Sequence, residues 1–393
     1  MAGIYVHIPF CKSRCIYCDF FSTTSLEERE RYVRAVCQEI ETRKDYLPVS
    51  GDGMSENIIP GKHTIDTVYF GGGTPTQLSA KQIKTIMECL HHVYDIKGNA
   101  EITIEGNPDD LTRGMLDSLR DIGFNRLSMG IQTFSNERLR FLCRRHTAEA
   151  AVRAVENAKC AGFGNISVDL MYGFPNETLQ EWESDVRTAI ELNVQHLSAY
   201  SLMYEEGTAL YRMRESGKVK EADEELSLSM YETLMDKLRE AGFEHYEISN
   251  FCRPGFRSHH NSSYWKGIPY IGVGAAAHSF DGQSRQWNPS SLSLYLAGME
   301  HGNLDVEREE LTEWQKYDEC IMTGLRTADG VDLNALRHHF GDLRLGYCLG
   351  CAENYLHDGL LELVSSPYSL RLTRKGIFVS DSVMADLMSD EGE

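Results

Sequence analysis

The sequence predicts an α/β fold: an incomplete (β/α)6 barrel followed by a small helical, winged-helix-like C-terminal domain. Short apolar runs typical of buried strands alternate with amphipathic stretches of helical period, which is the pattern of a parallel sheet covered by helices. Six such units are visible in the first half of the chain, fewer than the eight of a closed barrel. After about residue 300, helical stretches and one hairpin pattern predominate.

The predicted strands of the barrel are rich in β-branched and apolar residues. They are Ile4–Ile8, Thr67–Phe70, Glu101–Glu105, Arg126–Gly130, Ile166–Leu170 and His196–Ser201. The helices predicted between them are Glu27–Arg43, Ala80–Val93, Thr112–Ile122, Thr147–Ala161 and Leu179–Leu192. Capping signals precede several of them, including Ser25 with Glu28 and Thr178 with Glu181. The segment Val49–His63, rich in Gly, Ser and Pro, predicts an exposed loop.

A second region follows the barrel strands. It begins with a predicted helix at Glu221–Ala241, a strand at His245–Ser249 and a loop rich in aromatic residues and histidine. The later elements are helices at Thr312–Arg326, Leu333–Phe340 and Leu345–Asp358, a hairpin from Leu360–Val364 and Ser369–Thr373, and a helix from Lys375. We predict two domains, 1–300 and 301–393, with a frayed acidic tail at Ser389–Glu393. Cys348 and Cys351 lie one helical turn apart, and we interpret them as structural.

Composition and charge exclude several functions. The chain has 39 Lys and Arg against 59 Asp and Glu, a net charge of −20, which argues against nonspecific nucleic-acid binding and a polybasic membrane anchor. No apolar run approaches the ~20 residues that span a bilayer, and the first residues lack a signal-peptide pattern. We therefore expect a cytoplasmic protein with no nucleic-acid partner and no transmembrane segment, whose cysteines stay reduced.

Three cysteines dominate the start of the chain: Cys11, Cys15 and Cys18, in the spacing C-x3-C-x2-C. A [4Fe–4S] cluster has four irons, each of which normally takes one thiolate, so three ligands leave one iron open to a small molecule. Zinc held by these cysteines and His7 stays an alternative on residue type alone.

Polar residues and glycines end the predicted parallel strands. Gly71-Gly-Gly-Thr-Pro-Thr follows the second strand and exposes backbone groups to a ligand. Glu105, Gln132, Asp169 and Ser201 stand at comparable strand ends. Because ligands of parallel α/β sheets bind at the carboxyl ends of strands, we expect these groups to converge.

These motifs resemble those of radical S-adenosylmethionine (SAM) proteins, more narrowly the branch of oxygen-independent coproporphyrinogen III oxidases and heme chaperones. The resemblance rests on Tyr5–Cys18, Gly71–Thr76, Glu105, Arg126–Phe134, Asp169–Pro175, Leu197–Tyr200, Glu247–Phe251, His260–Trp265 and Gly272–His278. It implies a cluster on the three cysteines, with SAM's amino and carboxylate groups on the open iron. The cofactor-binding residues that it implies are Tyr5, Tyr17, Gly72, Gly73, Thr74 and Glu105, with a further set of Gln132, Arg144 and Asp169 that in the oxidases serves a second SAM.

Three features favour the heme-chaperone branch over the oxidases. Phe20 occupies a position where the oxidases carry a further cysteine, ten residues precede Cys11, and His260–Trp265 (the HNSSYW motif) resembles a motif of that branch. We expect His260 to ligate heme iron, with His278 as a weaker candidate and Tyr264 and Trp265 as pocket walls. The implied partners are heme as cargo, an acceptor hemoprotein such as a respiratory enzyme, and an electron donor such as flavodoxin or ferredoxin. Oxidative decarboxylation of coproporphyrinogen III stays the alternative function.

Overall fold

The structure is a computed structural model that describes residues 2–48 and 62–389. Most of the predicted loop Val49–His63, and residues 390–393 of the predicted tail, lie outside these ranges. Within the described residues there is no helix long and apolar enough to cross a membrane.

The barrel half of the chain alternates strands and helices, as predicted. In chain order the elements are β1 (Gly3–Ile8), α1 (Arg29–Thr42), β2 (Thr64–Gly72), α2 (Ala80–Val93), β3 (Asp95–Gly106), α3 (Arg113–Ile122), β4 (Arg126–Gln132), α4 (Asn136–Phe141), α5 (Ala148–Cys160), β5 (Ile166–Tyr172), α6 (Leu179–Glu191), β6 (His196–Ser201) and α7 (Ala209–Glu215). Strands β1 to β6 pair in sequence order, each parallel to the next. The predicted alternation of six parallel strands with helices is confirmed by this order.

Side chains alternate between the two faces of these strands. Ile4, Val6 and Ile8 of β1 are fully buried and pack toward the helices, in the main core. The other face of the barrel strands carries polar residues, and the register sets Tyr5 beside Tyr69 and Tyr69 beside Thr103. Because successive side chains of a strand point to opposite faces, an apolar outer layer and a polar interior come from the same strands.

The helix starts follow the predicted caps with one exception. Thr178 and Glu181 form a capping box at α6. The expected cap at Ser25 is wrong: Leu26–Glu28 forms a 3-10 turn, and Ser25 makes no side-chain cap hydrogen bond. Helix α1 therefore begins at Arg29.

The region after the barrel strands is more ordered than predicted. It comprises α8 (Glu224–Glu240), β7 (Glu244–Glu247), β8 (Asn250–Cys252), α9 (His259–Trp265), β9 (Tyr270–Val273), β10 (His278–Phe280), β11 (Ser284–Trp287), α10 (Leu292–His301) and β12 (Glu307–Glu310). The predicted aromatic loop is therefore wrong. Its elements of three to seven residues are too short to show a period, and β9 is ordered by parallel pairing with β1.

The C-terminal elements build a second core. They are α11 (Glu313–Leu325), β13 (Val331–Asp332), α12 (Leu333–His357), β14 (Leu361–Ser365), β15 (Tyr368–Leu372), α13 (Arg374–Ile377) and α14 (Ser380–Leu387). Gly341, at φ 82°, interrupts α12 between the two helices that were predicted separately. Cys348 is buried in this core, and Cys351 packs against it. Strand β12 pairs with β11, at the edge of the sheet that also contains the barrel strands. The domain boundary at residue 300 stays a prediction.

Candidate functional site

The segment Cys11–Cys18, the cysteine loop, follows the carboxyl end of β1. Its backbone is held on two sides. The amide of Cys11 donates to the carbonyl of Thr23 at 2.9 Å, and the carbonyl of Ile16 accepts from the amide of Leu210 at 2.9 Å. The loop is therefore anchored, and all three of its cysteines are half-buried.

Two polar side chains approach the thiols. Thr74 Oγ1 lies 3.5 Å from the Cys11 sulfur, and Arg144 Nη1 lies 3.6 Å from the Cys15 sulfur. Burial raises the pKa of Cys11 and raises that of Cys18 to about 11. A bound metal deprotonates its thiol ligands outright, so these thiols suit a cluster that carries its own positive charge.

His7 is not oriented as a fourth zinc ligand. Its Nδ1 lies 3.2 Å from the Tyr5 hydroxyl and its Nε2 lies 3.1 Å from the Phe21 carbonyl, so both ring nitrogens are engaged. In 2–48 and 62–389, no three His, Cys, Asp or Glu side chains are arranged to hold a single metal ion. The engagement of both His7 nitrogens argues against a zinc site in which His7 joins the three cysteines.

The glycine run packs directly against the cysteine loop. A Cβ at Gly73 would lie 3.0 Å from the Cys11 sulfur and 2.8 Å from the Pro9 carbonyl oxygen, and a Cβ at Gly71 would lie 3.2 Å from Oε1 of Glu105. Gly72 has φ of 110°, which favours glycine. The run therefore forms a cradle that any larger residue would fill.

Two carboxylates face the barrel interior below this cradle, and both remain half-buried. The Tyr69 hydroxyl donates to Oε1 of Glu105 at 2.7 Å. Burial raises the pKa of Glu105 to about 7, against the lowering effect of that hydrogen bond. Burial likewise raises the pKa of Asp169 to about 6, while hydrogen bonds from Ser198 and Ser128 lower it.

Arg144 links the further set of predicted residues to the cysteine loop. Its Nη2 donates to Oδ1 of Asn107 at 2.6 Å and to the carbonyl of Gly130, and Asn107 Nδ2 donates to Thr74 Oγ1 at 3.2 Å. Gln132, in a left-handed conformation at φ 72°, turns its amide toward Gly130. Strands β3, β4 and β5 thus bring Glu105, Gln132 and Asp169 to one end of the barrel, and Arg144, which follows α4, reaches the same end.

The remaining residues predicted at this end lie at its rim. Tyr17 packs against the small apolar cluster of the rim that contains Phe174 and Leu210. Phe20 is 66% exposed, and Ser201 is exposed.

The HNSSYW motif lies at the opposite, amino-terminal end of the strands, on α9. The amides of His259 and His260 donate to the Glu101 carboxylate at 3.0 and 2.9 Å. The ring of His260 is engaged at both nitrogens, by Thr67 Oγ1 at 2.9 Å and by the Tyr264 hydroxyl at 2.8 Å. Burial lowers the pKa of His260 to about 3, so the imidazole is neutral.

The other predicted heme residues differ in their surroundings. Arg326 stacks on the Trp265 ring at 5.0 Å from its centroid. His278 is exposed and stacks on Trp287, with ring centroids 5.8 Å apart. The structure places His278 on β10, apart from the α9 residues His260, Tyr264 and Trp265.

Three contributors were missed at the sequence level: Tyr69, Asn107 and Glu101. Alternation along the strands carries a signal for two of them, because Tyr69 precedes Gly71 by two residues and Glu101 precedes Glu105 by four, which places each pair on one face. Asn107 follows β3 in a loop, where no regular alternation indicates on which side a residue lies.

Comparisons with known proteins agree with this architecture. The profile of the radical SAM superfamily matches residues 5–189, and that of the HemN C-terminal domain matches residues 311–379. The chain is 32% identical over 393 residues to the heme chaperone HemW of Bacillus subtilis (strain 168), covering 99% of this chain and 100% of that protein. It is 33% identical over 337 residues to the heme chaperone HemW of Lactococcus lactis, covering 86% and 84%.

Among solved structures, coproporphyrinogen III oxidase (HemN) from Escherichia coli superposes with a TM-score of 0.83 at 24% identity, covering 99% of this chain and 90% of that chain. Fold and full-length similarity together define the class: the chain belongs to the radical SAM superfamily and, within it, to the HemN-like branch that includes the HemW proteins. Membership of this superfamily implies a [4Fe–4S] cluster and SAM.

Proposed function

We propose that this protein is a heme chaperone of the radical SAM type, which binds heme and delivers it to an acceptor hemoprotein. The observation that carries the proposal is the full-length identity of 32% with the Bacillus subtilis heme chaperone HemW. Phe20, in place of a further cysteine, and the complete HNSSYW motif on α9 support the same branch.

In this proposal Cys11, Cys15 and Cys18 hold the [4Fe–4S] cluster. The cluster with SAM supplies one-electron chemistry when both are bound. The chain itself contributes the anchored loop, the Thr74 hydroxyl beside Cys11 and the Arg144 charge beside Cys15.

The SAM residues divide by the chemistry they offer. Glu105 suits the ammonium group, Asp169 the ribose hydroxyls and Arg144 a carboxylate. The backbone of Gly72 and Gly73 offers polar groups without side chains. The other residues proposed to line the site are Tyr5, Tyr17, Thr74 and Gln132.

Heme ligation by His260 requires a rearrangement of α9. Both imidazole nitrogens are hydrogen-bonded, so an iron bond at Nδ1 breaks the contact with Thr67, and one at Nε2 breaks the contact with Tyr264. We propose that the HNSSYW motif opens when heme binds, with Tyr264 and Trp265 as walls and His278 as the second candidate ligand.

The proposed partners follow from the cargo and from the cluster. Heme passes to an acceptor such as a respiratory hemoprotein, and a flavodoxin or ferredoxin supplies electrons. We place this activity in the cytoplasm, where a reducing poise keeps the cysteine thiols available to iron.

A paired assay tests the function. Anaerobically reconstituted protein is expected to hold about four irons per chain and to bind heme tightly. The same preparation, offered coproporphyrinogen III with SAM and a reductant, is expected to form no protoporphyrinogen IX. Robust product formation would overturn the chaperone proposal in favour of the oxidase.

Spectra of the heme-loaded His260→Ala variant test the ligand. We expect changed axial ligation, with His278→Ala as the matched comparison. Unchanged ligation and affinity in His260→Ala, together with a change in His278→Ala, would transfer the role to His278.

A further inference from the structure

A cavity of about 260 Å³ lies between the barrel half of the chain and the C-terminal domain, and we call it the interdomain cavity. Its lining includes three guanidinium groups, Arg326, Arg371 and Arg374, and two carboxylates, Glu247 and Glu362. Each guanidinium group is paired with a carboxylate, but Asp236, the partner of Arg374, lies outside the lining, so the lining itself holds three guanidinium groups against two carboxylates. The cavity is therefore suited to an anionic group.

Arg326 ties this cavity to the HNSSYW motif. Its Nη2 donates to Oε1 of Glu247 at 2.7 Å, and Glu247 is 2% exposed. Its other side lies against the Trp265 ring. Its Nε is buried and has no hydrogen-bond partner among the described residues. Arg326 is thus fixed at the junction of the motif and the cavity, with one donor unused.

Arg371 and Arg374 are held more loosely. Arg371 Nε pairs with Glu362 Oε1 at 2.6 Å, and Arg374 pairs with Asp236 through two bonds, Nη1 to Oδ1 at 2.5 Å and Nη2 to Oδ2 at 2.9 Å. The four side chains of these two pairs are between 41% and 46% exposed. Exposed ion pairs contribute little to stability, so Arg371 can exchange its partner for another carboxylate at small cost. Arg374 already holds a carboxylate in the bidentate geometry that a propionate can reproduce.

The chemistry of the lining selects the ligand. A guanidinium binds a carboxylate through two parallel N–H···O bonds. Heme presents two propionate carboxylates along one edge. The cavity volume of about 260 Å³ is below the range of whole-ligand pockets, so it suits this edge and not the macrocycle.

We propose that the interdomain cavity is a carboxylate site in which Arg371 and Arg374 bind the two propionates of the porphyrin cargo. Arg326 positions this site against the HNSSYW motif. The inference rests on the proposed heme-binding function and adds to it the group of the porphyrin that the C-terminal domain recognises.

The experiment compares heme with its dimethyl ester, in which both carboxylates are masked. Binding of each porphyrin to the full-length reconstituted protein is followed by visible absorbance. Wild-type protein is expected to bind heme at least about tenfold more tightly than the ester. The double variant Arg371→Gln, Arg374→Gln is expected to lose this preference while it keeps the wild-type affinity for the ester.

Two comparisons make the outcomes distinct. Arg337→Gln is the matched control, because Arg337 lies in the same domain, pairs with Asp342 and does not line the cavity; it should keep the preference for heme. Retained ester binding shows that the double variant is folded. The second comparison measures heme binding in the presence of free acetate. If the site is specific for porphyrin propionates, millimolar acetate should leave heme binding unchanged.

If the double variant keeps the preference for heme, or if millimolar acetate abolishes that preference in the wild-type protein, the assignment of the cavity to porphyrin propionates is wrong while the chaperone proposal stands. If wild-type protein binds neither porphyrin, the proposed function itself fails, and this inference fails with it.

Discussion

The two ends of the barrel are made by the same strands but are built differently. At the carboxyl end, Glu105, Asp169 and the three cysteines of the cysteine loop are half-buried. At the amino end, α9 closes the barrel: Glu101 is 7% exposed and His260 is 2% exposed. At the carboxyl end the candidate ligand-binding groups are already in position. At the amino end both ring nitrogens of His260 are hydrogen-bonded within the protein.

The two sites therefore differ in how much free energy a ligand must spend on rearranging the protein. A ligand at the open end replaces solvent around groups that are already positioned, so little of its binding energy goes into rearrangement. A ligand for His260 must first break internal hydrogen bonds, and its apparent affinity is reduced by the fraction of molecules that are open. Substitutions at the carboxyl end should accordingly change the binding of the cluster or of SAM, whereas substitutions at the amino end should change the stability of the fold.

The largest effect is expected at the cysteine loop. Cys11→Ser, Cys15→Ser or Cys18→Ser removes one of three cluster thiolates, so reconstituted protein should fall from about four irons per chain toward none. Iron and sulfide analysis measures this. Cys37→Ser, on α1, is the control and should keep the full iron content; a cysteine-loop variant that also keeps it would show that the loop is not the cluster site.

At the closed end, Glu101→Ala should cost about 3 kcal/mol of unfolding free energy, since it leaves the amide donors of His259 and His260 without their charged acceptor. Denaturant titration measures the loss, and hydrogen exchange should show α9 opening first. Glu307→Ala, on the exposed β12, should change stability by less than about 0.5 kcal/mol. Equal losses of unfolding free energy in the two variants would contradict the closure of the amino end by α9.

The open end should respond to pH. The pKa of Glu105 is raised to about 7, so its carboxylate is mostly protonated below that pH and ionised above it. Because the ionised carboxylate accepts hydrogen bonds from the SAM amino group more strongly than the protonated form does, SAM affinity should rise by up to about tenfold between about pH 6 and pH 8. Equilibrium binding measures this, and the rise should vanish in Glu105→Gln. If the SAM affinity of the wild-type protein did not change with pH, Glu105 would not be the residue that binds the SAM amino group.

The smallest effect is expected for a threonine pair inside the barrel. Thr67→Val removes the partner of His260 Nδ1 and should cost about 1 kcal/mol of stability. Thr103→Val is the matched control, because Thr103 is fully buried and its hydroxyl has no partner among the described residues. If His260 must open to ligate heme, Thr67→Val should also bind heme more tightly than Thr103→Val does.

Much of the barrel and of its open end could be predicted from the sequence. Strand and helix order emerges from alternation, and parallel strands bring their carboxyl ends to one edge, so Glu105, Gln132 and Asp169 could be grouped without coordinates. The same reasoning failed between residues 250 and 287. Elements as short as β8 and β10, of three residues each, carry no period and are ordered by their neighbours.

The HNSSYW motif illustrates the limit most clearly. Its residue types suit heme, and the sequence identifies them, but no local pattern indicates that Glu101 holds the amides of His259 and His260 or that Thr67 lies beside the imidazole. Those contacts join positions 158, 159 and 193 residues apart in the chain. They exist only because α9 closes the amino end of the barrel.

The sequence by itself determined the strand order, the thiolate spacing of Cys11–Cys18 and the branch of the family, because these depend on local periodicity and on the identity of neighbouring residues. Only the tertiary structure decided which groups are satisfied and which remain available. It leaves Glu105 accessible, closes His260 within the barrel and brings Arg371 and Arg374 to a cavity beside the HNSSYW motif. Burial and hydrogen bonding depend on partners distant in the chain, and a linear pattern does not contain them.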